Sequence, residues 1–147
     1  MKKFDDRKLY FYFSIITLVI GIILGMVAYY SILIIEPEIQ SLLSAEENIP
    51  QSYEKAYAML RDPQIFARYE HFDRVAYPIK NILRDFDSKI DEGEAFTADD
   101  QLYLEILLER RILGSRLTRN TMIFLFLLSL LGWIFFFYER RKVKALS

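Results

Sequence analysis

The chain has no cysteine, a single histidine, five glycines and four prolines in 147 residues. Without cysteine there are no disulfides, thiolate metal sites or cysteine nucleophiles. The lone His71 has no motif around it to build a Ser–His–acid triad. Its neighbours Glu70 and Asp73 are too close in sequence to share a helix face with it, so a metal reading fails for want of convergent ligands. Glycine is too sparse for a phosphate-cradling loop, and no basic face with interleaved aromatics points to nucleic acid. β-Strand alternation of any length is also absent.

Charge is missing from two stretches. Tyr10 to Ile35 and Thr121 to Tyr138 contain no charged residue. About 20 apolar residues, with some latitude, cross the roughly 30 Å of bilayer hydrocarbon as a helix. Both stretches qualify as spans. The first is longer than a signal-peptide core, and Met26-Val27-Ala28 puts a bulky residue where a cleavage site needs a small one, so it reads as an uncleaved anchor. Neither span carries the intramembrane charge that marks an ion or proton path, which argues against a transporter.

What is present is segregated. Basic residues gather at the ends, as Lys2, Lys3, Arg7 and Lys8 and as Arg140, Arg141, Lys142 and Lys144, while the intervening loop holds acidic runs. Orientation follows Lys and Arg close to the span ends, and loops beyond about 60 residues cross regardless. The expected arrangement is a cytoplasmic N-terminus (1–9), a first span (10–35), an extracytoplasmic helical domain (36–120), a second span (121–138) and a cytoplasmic basic tail (139–147). Arg110, Arg111, Arg116 and Arg119 on the loop side count against it. They find no acid three or four residues away on their own helix, and read as a snorkelling collar. Lipid-headgroup contacts are expected at Arg116, Arg119, Arg140, Arg141 and Lys142.

The loop reads as helix. Phe72, Val75, Ile79, Ile82 and Phe86 recur at spacings of three and four, a packed seam that Ile65, Tyr69 and Ile90 extend. This seam is expected to pack on the chain itself or on a partner. Pro63 suits a first helical turn and Gly93 the position past a C-terminus, while Pro78 should kink or break the pattern near Ala76-Tyr77. Shorter helical pieces are bounded by Pro37, Pro50 and Pro63. Thr97-Ala98-Asp99-Asp100 forms a helix start, and nothing then interrupts a helix running into the second span, about 65 Å in length. Asp85, Asp87, Asp91, Glu92 and Glu94 begin like a calcium loop, but Ile90 and Phe96 stand where glycine and glutamate are required.

In the first span Gly21, Gly25 and Ala28 form a small-residue face that lets a second helix approach, with Ser129 and Gly132 as its candidate counterpart. The fold class is therefore all-α: two transmembrane helices flanking an extracytoplasmic helical hairpin or small bundle, whose last helix continues into the second span. The function expected is that of a non-catalytic accessory, assembly or scaffold subunit, with no metal or other cofactor. Its expected partners are membrane lipid and either another membrane protein or further copies of the chain. Two alternatives are a sensory input component signalling through a separate protein and an oligomerising membrane-disrupting effector.

Overall fold

The structure, a computed structural model, describes residues 6–61 and 73–145, with side chains over 7–61 and 79–142. It is all-α, with no strand among the described residues. Helix α1 (Asp6–Tyr30) leads into a π-helical turn (Ser31–Ile35) and then α2 (Glu36–Leu43) without interruption. Pro37 explains the widened turn. It has no N–H to offer the carbonyl four residues back, so the ladder loosens just ahead of it. Pro50 sits in the first turn of α3 (Ile49–Leu60), where a missing donor has no consequence. Asn48 enters that helix at φ 54°, a left-handed conformation that Asn tolerates.

Helix α4 (Asp73–Glu92) runs unbroken through Pro78, so the predicted break is absent. Pro78 has no N–H to offer the Arg74 carbonyl four residues back, and the helix continues across that one missing bond. Gly93, at φ +70°, ends the helix. The Glu94 N–H donates to the Lys89 carbonyl at 2.8 Å and the Gly93 N–H to that of Ile90 at 3.2 Å, a Schellman closure. A short turn (Ala98–Asp100) then opens α5 (Gln101–Ala145), 45 residues of continuous helix. Helices α1 and α5 are each long and apolar enough to cross a membrane.

The chain divides into two compact units: residues 1–30 with 115–147, and residues 31–114. In the first, α1 packs against the later part of α5. In the second, α2, α3, α4 and the start of α5 enclose a core of Ile39, Leu43, Tyr53, Ala56, Tyr57, Leu60, Ile79, Phe86, Phe96, Leu104, Leu107 and Leu108. Domains this small are marginal in principle. This one compensates with aromatics: Tyr57, Phe86 and Phe96 form a closed triangle with ring centroids 5.0–5.9 Å apart.

Candidate functional site

In the membrane-length unit, the buried positions of α1 are Ser14, Thr17, Gly21, Gly25 and Ala28, all small. The exposed positions include Ile16, Ile20, Ile23 and Val27. On α5 the buried positions of this unit are Ser115, Met122, Ser129 and Gly132, spaced seven, seven and three residues apart, the 3.5-residue repeat of a left-handed helix pair. The fit is close. A methyl group on Gly21 would lie 2.8 Å from the Phe126 ring, one on Gly25 2.7 Å from Met122 Sδ, and one on Gly132 would overlap Ser14. Thus Gly21, Gly25 and Gly132 all lie on one intramolecular interface, with Ala28 buried on the same stripe of α1, but Ser129 and Gly132 face Ser14, and Gly21 and Gly25 meet Phe126 and Met122 instead. Ser129 ties the interface together, its hydroxyl donating to the Ser14 carbonyl at 2.9 Å. The Ser14 and Thr17 hydroxyls donate back to the Tyr10 and Phe13 carbonyls on their own helix, so burying them leaves no donor unmet. At one end of the pair Tyr10 stacks on Phe135, and Phe11 meets Trp133 and Phe136.

The basic residues expected at lipid headgroups are placed unevenly. Arg116, Arg140, Arg141 and Lys142 are exposed. Arg119 is half-buried, and its Nε has no hydrogen-bond partner among the described residues.

The other unit holds three polar clamps. Arg111 departs most from the sequence expectation: it is buried, not part of a surface collar. Its Nε donates to Ser31 Oγ at 3.3 Å, one Nη donates to the Met59 carbonyl at 3.2 Å, and the Ser31 hydroxyl donates to Glu36 Oε1 at 3.3 Å. The guanidinium is held inside because the π-helical turn carries both Ser31 and, one residue beyond it, Glu36. In the second clamp, buried Asp100 pairs with Lys89 and accepts from the Thr97 N–H at 2.8 Å. Burial works against the Asp100 carboxylate, yet the Lys89 and Thr97 bonds outweigh it and hold its pKa below the ordinary range. The bond to Asp100, opposed in part by burial, raises the Lys89 pKa. In the third clamp the Tyr57 hydroxyl donates to Asp87 Oδ1 at 2.6 Å, and Arg61 pairs with Asp87 Oδ2 at 3.2 Å. Burial first, then the Asp87 bond and charge, push the Tyr57 pKa up. All three clamps join separate helical elements.

Of the predicted seam, Ile79 and Phe86 are buried in this core and Ile82 packs against it. Val75 lies on α4 with its side chain outside the described ones, and Phe72, like His71, Pro63, Ile65 and Tyr69, lies outside the described residues. Sequence reading missed the α3 contribution of Tyr53, Ala56, Tyr57 and Leu60, although their spacing of three and four was a signal for it. It also missed the Arg111 clamp, which no local pattern announces. Among the described residues no group of three or more metal-ligating side chains could hold an ion.

One face of α5 in this unit carries exposed leucines that no described residue covers. Leu102 and Leu113, 63 % and 58 % exposed, stand three turns apart with Ile106 between them, opposite buried Leu104, Leu108 and Arg111. Compared with protein-family models, curated proteins and solved structures, the chain finds no match.

Proposed function

We propose that the chain is a non-catalytic integral membrane protein that serves as an accessory, assembly or scaffold subunit. It crosses the bilayer twice, with both termini cytoplasmic and the unit 31–114 on the outer side. The basic residues near the termini support this orientation, and the burial of Arg111 removes one charge from the count against it. The observation that carries the functional reading is the exposed pair Leu102 and Leu113 on α5. A unit that buries its apolar residues and clamps its buried charges elsewhere leaves these side chains on the surface of α5. The occupant that fits is a helix of a larger membrane protein lying along α5, with Glu105, Glu109 and Arg110 at the rim.

The test is purification of the tagged full chain in mild detergent, with mass spectrometry of what remains bound, run beside a Leu102→Ser/Leu113→Ser variant. The expected result is a stoichiometric membrane protein that the variant loses while keeping its helical circular dichroism. A homo-oligomer alone, or a partner retained by the variant, would contradict the reading.

A further inference from the structure

At the end of the helix pair that carries the chain termini, a cavity of about 360 Å³ opens between α1 and α5, lined by Arg7, Lys8, Phe11, Tyr12, Phe136 and Arg140. The sequence explains its construction. Residues 7, 8, 11 and 12 make one patch on successive turns of α1, and Phe136 and Arg140 are four apart on α5. Phe11 and Phe136, with ring centroids 5.7 Å apart, form an aromatic floor, and the three cationic side chains stand around it. We infer that this cleft binds the headgroup of an anionic phospholipid.

Two features select that ligand over a diffuse layer of counter-ions. The cations come from both helices onto one cavity, and arginine can engage phosphate oxygens through a two-pronged contact. The wall beneath them is aromatic, a surface for the glycerol and first acyl carbons at the depth where such rings settle in a bilayer. Basic pockets between transmembrane helices are a known way of holding anionic headgroups. Arg141 and Lys142, adjacent in sequence, are exposed and do not line the cavity. They serve as the internal control.

The inference rests on both helices lying in a bilayer, so the experiment reads that separately. The full chain is first floated with phosphatidylcholine vesicles with and without phosphatidylglycerol. The detergent-purified protein is then titrated with each lipid and bound copies are counted by native mass spectrometry. Co-flotation with both vesicle types is expected, with one tightly retained phosphatidylglycerol and no retained phosphatidylcholine. Arg7→Gln/Arg140→Gln should weaken retention by on the order of thirtyfold, as two such cations imply. Arg141→Gln/Lys142→Gln, which removes the same charge, should change it by no more than a few-fold. Arg7→Lys/Arg140→Lys, which keeps the charge and loses the two-pronged contact, should fall between the unaltered chain and the glutamine pair, which excludes misfolding as the cause of the loss. Equal effects of the two glutamine pairs, or equal retention of both lipids, would overturn the site alone. Displacement of the lipid by inorganic phosphate at comparable concentration would show that the cleft takes a soluble phosphate, and would overturn the lipid assignment. Failure to float with either vesicle would overturn the bilayer placement and the site with it.

Discussion

The two units bury opposite kinds of residue. In the unit 31–114 the large apolar side chains, Phe86, Leu60, Ile39 and Leu104, are fully buried, and acids and bases lie mostly outside. In the helix pair, serine, threonine, glycine and alanine line the inside of α1, while isoleucine, valine, leucine and phenylalanine cover the outside. Water drives the first arrangement. In hydrocarbon there is no gain from hiding leucine, so helices associate through close backbone approach and a few hydrogen bonds. The inversion between the units is the pattern that the proposed placement of one unit in water and the other in the bilayer predicts.

Core substitutions should sharpen that contrast most. Phe86→Ala, which opens the aromatic triangle, is expected to destabilise the unit 31–114 by about 3–5 kcal/mol. Hydrogen exchange in detergent would show the loss in α3 and α4, with protection of the helix pair unchanged. Asp100→Ala should follow at roughly 3 kcal/mol, because it leaves the Lys89 ammonium partly buried and unpaired. A loss below that of a typical surface substitution, about 0.5 kcal/mol, would mean that the clamp contributes nothing.

The same clamps set a pH window. Asp100 has its pKa lowered on folding, so its contribution is present above the unfolded carboxylate value, near 3.8, and is lost as pH falls through the folded one. Lys89 and Tyr57 are raised, so their contributions hold below their unfolded values, near 10.5 and 10.0, and disappear as pH climbs beyond them. Thermal unfolding of this unit should therefore be flat between about pH 4 and 10 and fall on both sides. In Tyr57→Phe and Lys89→Met chains the alkaline fall should be reduced.

Smaller effects belong to the helix pair. Gly132→Leu should cost about 1–3 kcal/mol of helix association, because the new side chain overlaps Ser14 at the interface. Gly25→Ala should cost less, since the Met122 thioether can swing aside. Ser129→Ala should cost about 0.6 kcal/mol, the ordinary worth of an interhelical hydrogen bond within a membrane. Reporter-based association of the two spans would rank the three.

Most of the architecture was legible because it rests on local signals. The charge-free runs mark α1 and the latter part of α5, and Pro37, Pro50, Gly93 and Thr97 punctuate the helices near where these begin or end. Pro78 does not end its helix, because a proline removes one backbone donor and the remaining ladder carries the helix across it. The clamps were illegible for a different reason. Arg111 meets Ser31 across 80 residues, and Tyr57 meets Asp87 across 30, separations at which composition and periodicity carry no pairing information. The exposed face of Leu102 and Leu113 was hidden too: on a helix rich in leucine, only packing shows which leucines are left over.

The absence of cysteine makes one measurement especially direct. Single substitutions Ile20→Cys and Leu127→Cys on the outside of the helix pair, and Glu47→Cys and Glu94→Cys on the polar unit, would be challenged with a membrane-impermeant thiol reagent in vesicles, before and after detergent solubilisation and denaturation. The two-solvent arrangement predicts that Glu47→Cys and Glu94→Cys react in intact vesicles from one and the same side, while Ile20→Cys and Leu127→Cys react only once the bilayer is dissolved. Rapid labelling of Ile20→Cys or Leu127→Cys in intact vesicles would contradict it.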